Sequence, residues 1–146
     1  MINLRFERLS LDGDTLEDDW DLLLQPMADF SIEIAPAPFP LYRDEAFCVV
    51  EFAMQITQWL ERVHRDPIDF SYNSIESDET DLVAIRKEAG GWRIAALHQD
   101  YVEERVFAIE EIESAVRVFV ARLKLEVRER FHRDISHLVS GKRIEL

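Results

Sequence analysis

An apolar period of three and four residues runs unbroken from Ile109 through Ile112, Val116, Phe119, Val120, Leu123 and Val127 to Phe131. No other feature constrains the fold so strongly. The period predicts a helix of five or more turns, beginning near Ala108, a rod roughly 30 Å long at 1.5 Å per residue. Its apolar stripe needs a covering layer along that whole length. Glu110, Glu111 and Glu113 fall in its first turns, and Arg128, Arg130 and Arg133 in its last. Both ends suit the helix dipole. Glu113–Arg117, Glu126–Arg130 and Glu129–Arg133 are spaced i,i+4 in the favourable direction.

A second helix is predicted from Glu45 to about Arg65, with Val49, Phe52, Ala53, Ile56, Trp59, Leu60 and Val63 on its inner side. Asp44 is its expected N-cap and Pro67 closes it. Cys48 falls in its first turn. It reads as a small core residue, because no cationic sequence neighbour would activate it as a nucleophile.

The remaining segments alternate instead. "INLRFERL" sets Ile2, Leu4 and Phe6 against Asn3, Arg5 and Glu7, and "DFSIEIA" puts Phe30, Ile32 and Ile34 on one face. Both are half-buried strands. Between them Thr15 is expected to cap a short helix limited by Pro26, and after them "PAPFP" breaks the chain before a short extended "LYR". Strands at 70–76, 81–88 and 91–99 follow, the last two forming a hairpin through Gly90-Gly91. If that hairpin keeps Ile85 opposite Ile94 and Val83 opposite Ala96, Asp81 faces His98. That pair would be a base and its orienter, or a rim ion pair.

The order predicts a two-layer α+β domain, a mostly antiparallel sheet of about five strands covered by two long amphipathic helices. A chain of 146 residues is one domain spanning 1–146, with 141–146 a frayed tail. One cysteine permits no internal disulfide, which fits a reducing compartment, and no stretch is apolar enough to span a bilayer or act as a leader. A cytoplasmic protein is expected.

The charge is uneven. Residues 1–81 hold 19 acids and 5 bases, whereas residues 82–146 hold 11 acids and 12 bases. The first part repels nucleic acid and anionic membrane and attracts a basic protein partner. No Cys/His spacing suits zinc, "LDGDTLEDDWD" breaks the EF-hand pattern, and no phosphate loop or nucleophile elbow occurs. The expectation is therefore a binding protein with no catalytic residue, metal or cofactor. The partner surface is placed on Glu76, Asp78, Glu79 and Asp81, with Asp66, Asp69 and Tyr72 beside them.

Two resemblances add to this reading. An apolar helix ending in "QWL", then "FSYNSIE", an acidic turn, a strand, "GGWRI" and a long closing helix resemble small acidic bacterial immunity proteins of polymorphic toxin systems, over most of residues 45–125. That resemblance implies an inhibitor that binds a toxin domain and performs no chemistry. "GGWRIAALHQD" alone is similar to the last strands of NTF2-like/SnoaL-like domains. It implies an alternative: a small-molecule enzyme or ligand-binding protein with a pocket at Trp92, His98, Asp100 and Tyr101. An obligate homo-oligomer, a homodimer among the options, or a scaffold using the exposed face of the sheet is the third reading.

Overall fold

The structure, a computed structural model, describes residues 1–13 and 15–139; the expected frayed tail at 141–146 lies outside the described residues. The chain folds as α+β, in the order β1 (Ile2–Leu11), α1 (Asp19–Leu24), β2 (Pro26–Ile34), β3 (Tyr42–Phe47), α2 (Val49–Val63), β4 (Phe70–Tyr72), β5 (Val83–Glu88), β6 (Gly91–Ala96) and α3 (Ile109–Phe131). The strands form two antiparallel sheets of three, β1-β2-β3 and β4-β5-β6, and not the single five-stranded sheet expected.

Alternation builds the first sheet. Pro26, Ala28, Phe30, Ile32 and Ile34 of β2 are all buried, and β1 pairs with it from Ile2↔Ile34 to Phe6↔Phe30. The register then shifts. Arg8 takes a left-handed φ of 56°, and Leu9 replaces Arg8 in turning to the core. A strand of period two cannot otherwise bury both Phe6 and Leu9.

The stretch 42–47 corrects the sequence reading. It is strand β3, antiparallel to β2 through Ile32↔Tyr42 and Ala28↔Phe47, and α2 starts only at Val49 with Cys48 in the cap position. Asp44 caps no helix; its carboxylate accepts the Tyr42 hydroxyl and the Ala46 N–H within β3. The Phe47 ring stacks on Phe30 with centroids 4.2 Å apart, and this contact holds the segment to the sheet. Likewise α1 is capped by Asp18, which accepts the Asp21 N–H, and not by Thr15.

In the second sheet β4 is three residues long, much shorter than the strand expected at 70–76. The β5–β6 register runs from Val83↔Ala96 through Ile85↔Ile94 to Glu88↔Gly91, so Ala89 and Gly90 make the turn. Gly90 has a φ of 86°. Gly91 is needed for another reason: a Cβ there would lie 2.7 Å from the Phe107 carbonyl oxygen. Phe107 pairs with Trp92 across the free edge of β6 through two backbone hydrogen bonds.

One aromatic core joins the layers. Phe52 of α2 lies within 6.2 Å, centroid to centroid, of Phe30, Phe47, Phe70, Tyr72 and Phe119. Phe119 of α3 also meets Phe6 of β1 edge-on at 5.8 Å. Along α3, Glu126 and Arg130 pair at 4.0 Å as expected, while Glu113 pairs with His64 and Arg133 donates to the Leu16 carbonyl. Past α3, His132 adopts the left-handed C-cap conformation and the chain returns to the core, burying Ile135 and Val139. His137 pairs with Asp19 of α1 at 2.7 Å.

Candidate partner-binding surface

The acidic turn between β4 and β5 is held by α2. Glu51 and Gln55 stand one helical turn apart and so share a face. Glu51 is 3% exposed. It accepts the Tyr72 hydroxyl at 2.8 Å and the Ile75 N–H at 3.1 Å. Gln55 donates to the Asn73 carbonyl at 3.0 Å. These contacts draw the chain off the sheet after Tyr72 and end β4 there. At the other end of the turn, the Asp81 N–H donates to Asn73 Oδ1 at 2.8 Å, and the Ser71 hydroxyl donates to the Asp81 carboxylate. Within it, Ser74 and Ser77 hydroxyl oxygens accept the N–H groups of Glu76 and Glu79. Asp81 completes the turn with a left-handed φ of 57°.

Glu76, Asp78 and Glu79 are left exposed on this pinned loop. Other acids approach the same end of the molecule. Burial, then Asp44, then Glu79 raise the Tyr42 hydroxyl above its ordinary range. Burial pushes the Cys48 thiol up to about 11, with Glu51, Glu76 and Asp12 adding to the effect against a hydrogen bond from Ser74. A protonated, buried thiol is a poor nucleophile, in line with a core role for Cys48. The Tyr72 hydroxyl is likewise raised, first by burial.

The residues chosen from sequence do not form one patch. Glu76, Asp78, Glu79 and Asp81 come together at the base of the β5–β6 hairpin. Asp69 accepts the Lys87 N–H near the opposite end of β5, roughly 20 Å away at 3.3 Å per residue, and Asp66 lies close to it in sequence. Tyr72 is only 1% exposed, so it anchors the turn from within and cannot touch a partner.

The Asp81–His98 pair does not form either. The ladder stops at Val83↔Ala96, and beyond it Asp81 turns toward Ser71, Asn73 and Arg86. His98 instead meets Glu79 at 2.6 Å, both side chains half exposed or more. The four residues of the pocket alternative do not converge. Trp92 is buried edge-on against Trp59, His98 is on the surface, the Asp100 N–H donates to Leu41, and Tyr101 packs on exposed Phe39. Strand β6 ends at Ala96, so the shared face of Trp92 and Ile94 does not extend to His98.

Sequence reasoning missed two features. One is a cleft of about 580 Å³ over the outer face of β1-β2-β3, where Arg5 pairs with Glu33 and Arg8 with Asp29 beside Arg43 and Glu7. The signal was the polar half of the β1 and β2 alternation. The other is a set of exposed apolar side chains, Ile75 (60%), Leu97 (48%) and Trp20 (57%). Trp20 was legible as an aromatic inside "EDDWD".

Among the described residues no group of three His, Cys, Asp or Glu side chains is placed to hold a metal ion, and no helix is long and apolar enough to cross a membrane. The described residues form a small α+β domain with an exposed acidic turn at one end. The chain belongs to the family described as a domain of unknown function, DUF7878, whose model matches residues 2–129. No curated protein and no solved structure matches it.

Proposed function

We propose that this protein is a binding protein of the immunity type, an inhibitor that docks a basic toxin domain through its acidic end and performs no chemistry of its own. The observation that carries the reading is the pinned turn. Three exposed carboxylates, Glu76, Asp78 and Glu79, project from a loop fixed by Glu51, Gln55, Asn73 and Ser71. A loop ordered beforehand loses little conformational freedom on association. Exposed Ile75 lies within the turn, and Leu97, bonded through its N–H to the Leu82 carbonyl, stands at its base. They supply apolar anchors inside an acidic field. The field accelerates encounter with a basic partner, and the anchors slow release. The docking set is thus Glu76, Asp78, Glu79, Ile75 and Leu97. A cytoplasmic location fits the single reduced thiol.

The test asks first whether the adjacent upstream gene encodes a protein with a toxin-like C-terminal domain, and then uses that domain as the ligand. Its association rate with this protein is measured across a salt series. Asp78→Lys with Glu79→Lys is expected to slow association by about tenfold or more and flatten the salt dependence. Unchanged rates in the double variant would remove the acidic turn from the interface. A neighbouring gene product that neither binds nor is inhibited would remove the immunity reading.

A further inference from the structure

Helix α3 faces the core with Ile112, Val116, Phe119, Val120, Leu123 and Val127. Its opposite side is also patterned. Glu111, Ser114, Val118, Ala121, Leu125 and Arg128 are all exposed, and they recur at spacings of 3, 4, 3, 4 and 3 residues. That is the a/d spacing of a coiled-coil seam. Val118 is 67% exposed and Leu125 52% exposed, on the outside of a helix whose other face already fills the core. The two aliphatic side chains stand one heptad, about 10 Å, apart along this face.

We propose that this outer face of α3 is a homodimer interface, occupied by α3 of a second copy running antiparallel. The Glu111–Arg128 match at the two ends of the seam argues for a second copy and for the antiparallel direction. In an antiparallel seam each a position meets a d position of the partner helix. One register sets Glu111 against Arg128, Val118 against Ala121 and Leu125 against Ser114, and the twofold axis repeats each contact. The acid at the start of the seam meets the base at its end, the bulky valine meets alanine, and the leucine meets serine. A parallel pair would stack Glu111 on Glu111 and Arg128 on Arg128. Sliding an antiparallel pair by one heptad breaks the Glu111–Arg128 match and brings Val118 against Arg128. From Glu111 to Arg128 the seam runs about 26 Å along the helix. The interface is isologous and closes as a dimer, so it leaves no open end for further growth. It lies on α3 and does not depend on the acidic turn.

Sedimentation velocity of the full chain across a hundredfold concentration range tests the proposal. The expected result is a reversible dimer of the 17.2 kDa chain. Val118→Glu and Leu125→Glu change exposed positions and are expected to give folded monomers, with folding checked by circular dichroism. Glu111→Arg alone and Arg128→Glu alone should each weaken the dimer by about tenfold, and the two together should restore it. A wild-type chain that stays monomeric throughout, or a dimer indifferent to Val118→Glu, would overturn the interface. Single charge changes that weaken the dimer without mutual rescue would overturn the antiparallel register.

Discussion

The two ends of the β5–β6 hairpin are built by different means. At the tip, backbone geometry decides everything: Gly90 supplies a left-handed φ of 86°, and Gly91 leaves room for the Phe107 carbonyl. At the base, side chains decide. Glu51, Gln55, Asn73 and Ser71 come from α2 and from in and beside β4, and together they hold the acidic turn. A glycine pair is a local rule, visible in the residues themselves. A clamp assembled from residues eight to twenty-four positions away is visible only once the fold exists. The base is also where the exposed carboxylates sit. In this protein the rigid local device supports the sheet, while the non-local one supports the candidate interface.

The largest test of that contrast is Glu51→Ala. It strands the buried Tyr72 hydroxyl and the Ile75 N–H together, and should lower unfolding free energy by about 3 kcal/mol in a denaturant titration. Hydrogen exchange should rise at Ile75 and leave Trp92 and Phe107 protected. Gly91→Ala should show the opposite map. Its Cβ pushes on Phe107, costing about 2 kcal/mol and loosening the Trp92–Phe107 amides while Ile75 stays protected. Exchange lost at both ends in either variant would mean that the two ends are one cooperative unit. Gly90→Ala should cost about 1 kcal/mol, from its left-handed φ alone.

A smaller effect belongs to Cys48. Its thiol is raised in the folded protein from 9.0 to about 11, so the folded state holds a proton that the unfolded state has begun to release. Its stabilising contribution is complete below pH 9 and is lost as pH rises through about 11. Chemical denaturation between pH 8 and 11 should show that decline, and Cys48→Ala should shallow it. Smallest of all, Asp78→Lys with Glu79→Lys should leave stability within about 0.5 kcal/mol, because Asp78 is exposed and the Glu79–His98 pair is half exposed, where ion pairs contribute little.

Much of the architecture was legible, since periodicity reports burial directly. The apolar runs of α2 and α3, the alternation of β1 and β2, and the Ile85↔Ile94 register all follow from it. Strand β3 did not. Asp44 before Glu45-Ala46 carries the local signs of a helix start, and Phe30 overrides them from another strand. The division into two sheets was equally hidden, because alternation does not say which strands are neighbours. Of the candidate surface, the turn from Glu76 to Asp81 was legible from its charge. Tyr72 was misjudged because an aromatic beside an acidic loop looks the same in sequence whether it points outward or anchors the loop. Asp81 and His98 were paired by extending a ladder that the left-handed Asp81 had already ended.

The edge-to-face contact between Phe6 and Phe119 also dictates an order of events during synthesis. The two residues are 113 positions apart in the chain. A ribosome adding roughly 5–20 residues per second makes Phe6 wait about 6 to 20 s for its neighbour. Through that interval β1 and β2 can pair and α2 can cover Phe30, but Phe6 still lacks its edge-on partner. The nascent chain therefore carries the α3-facing part of that sheet exposed until residue 119 emerges.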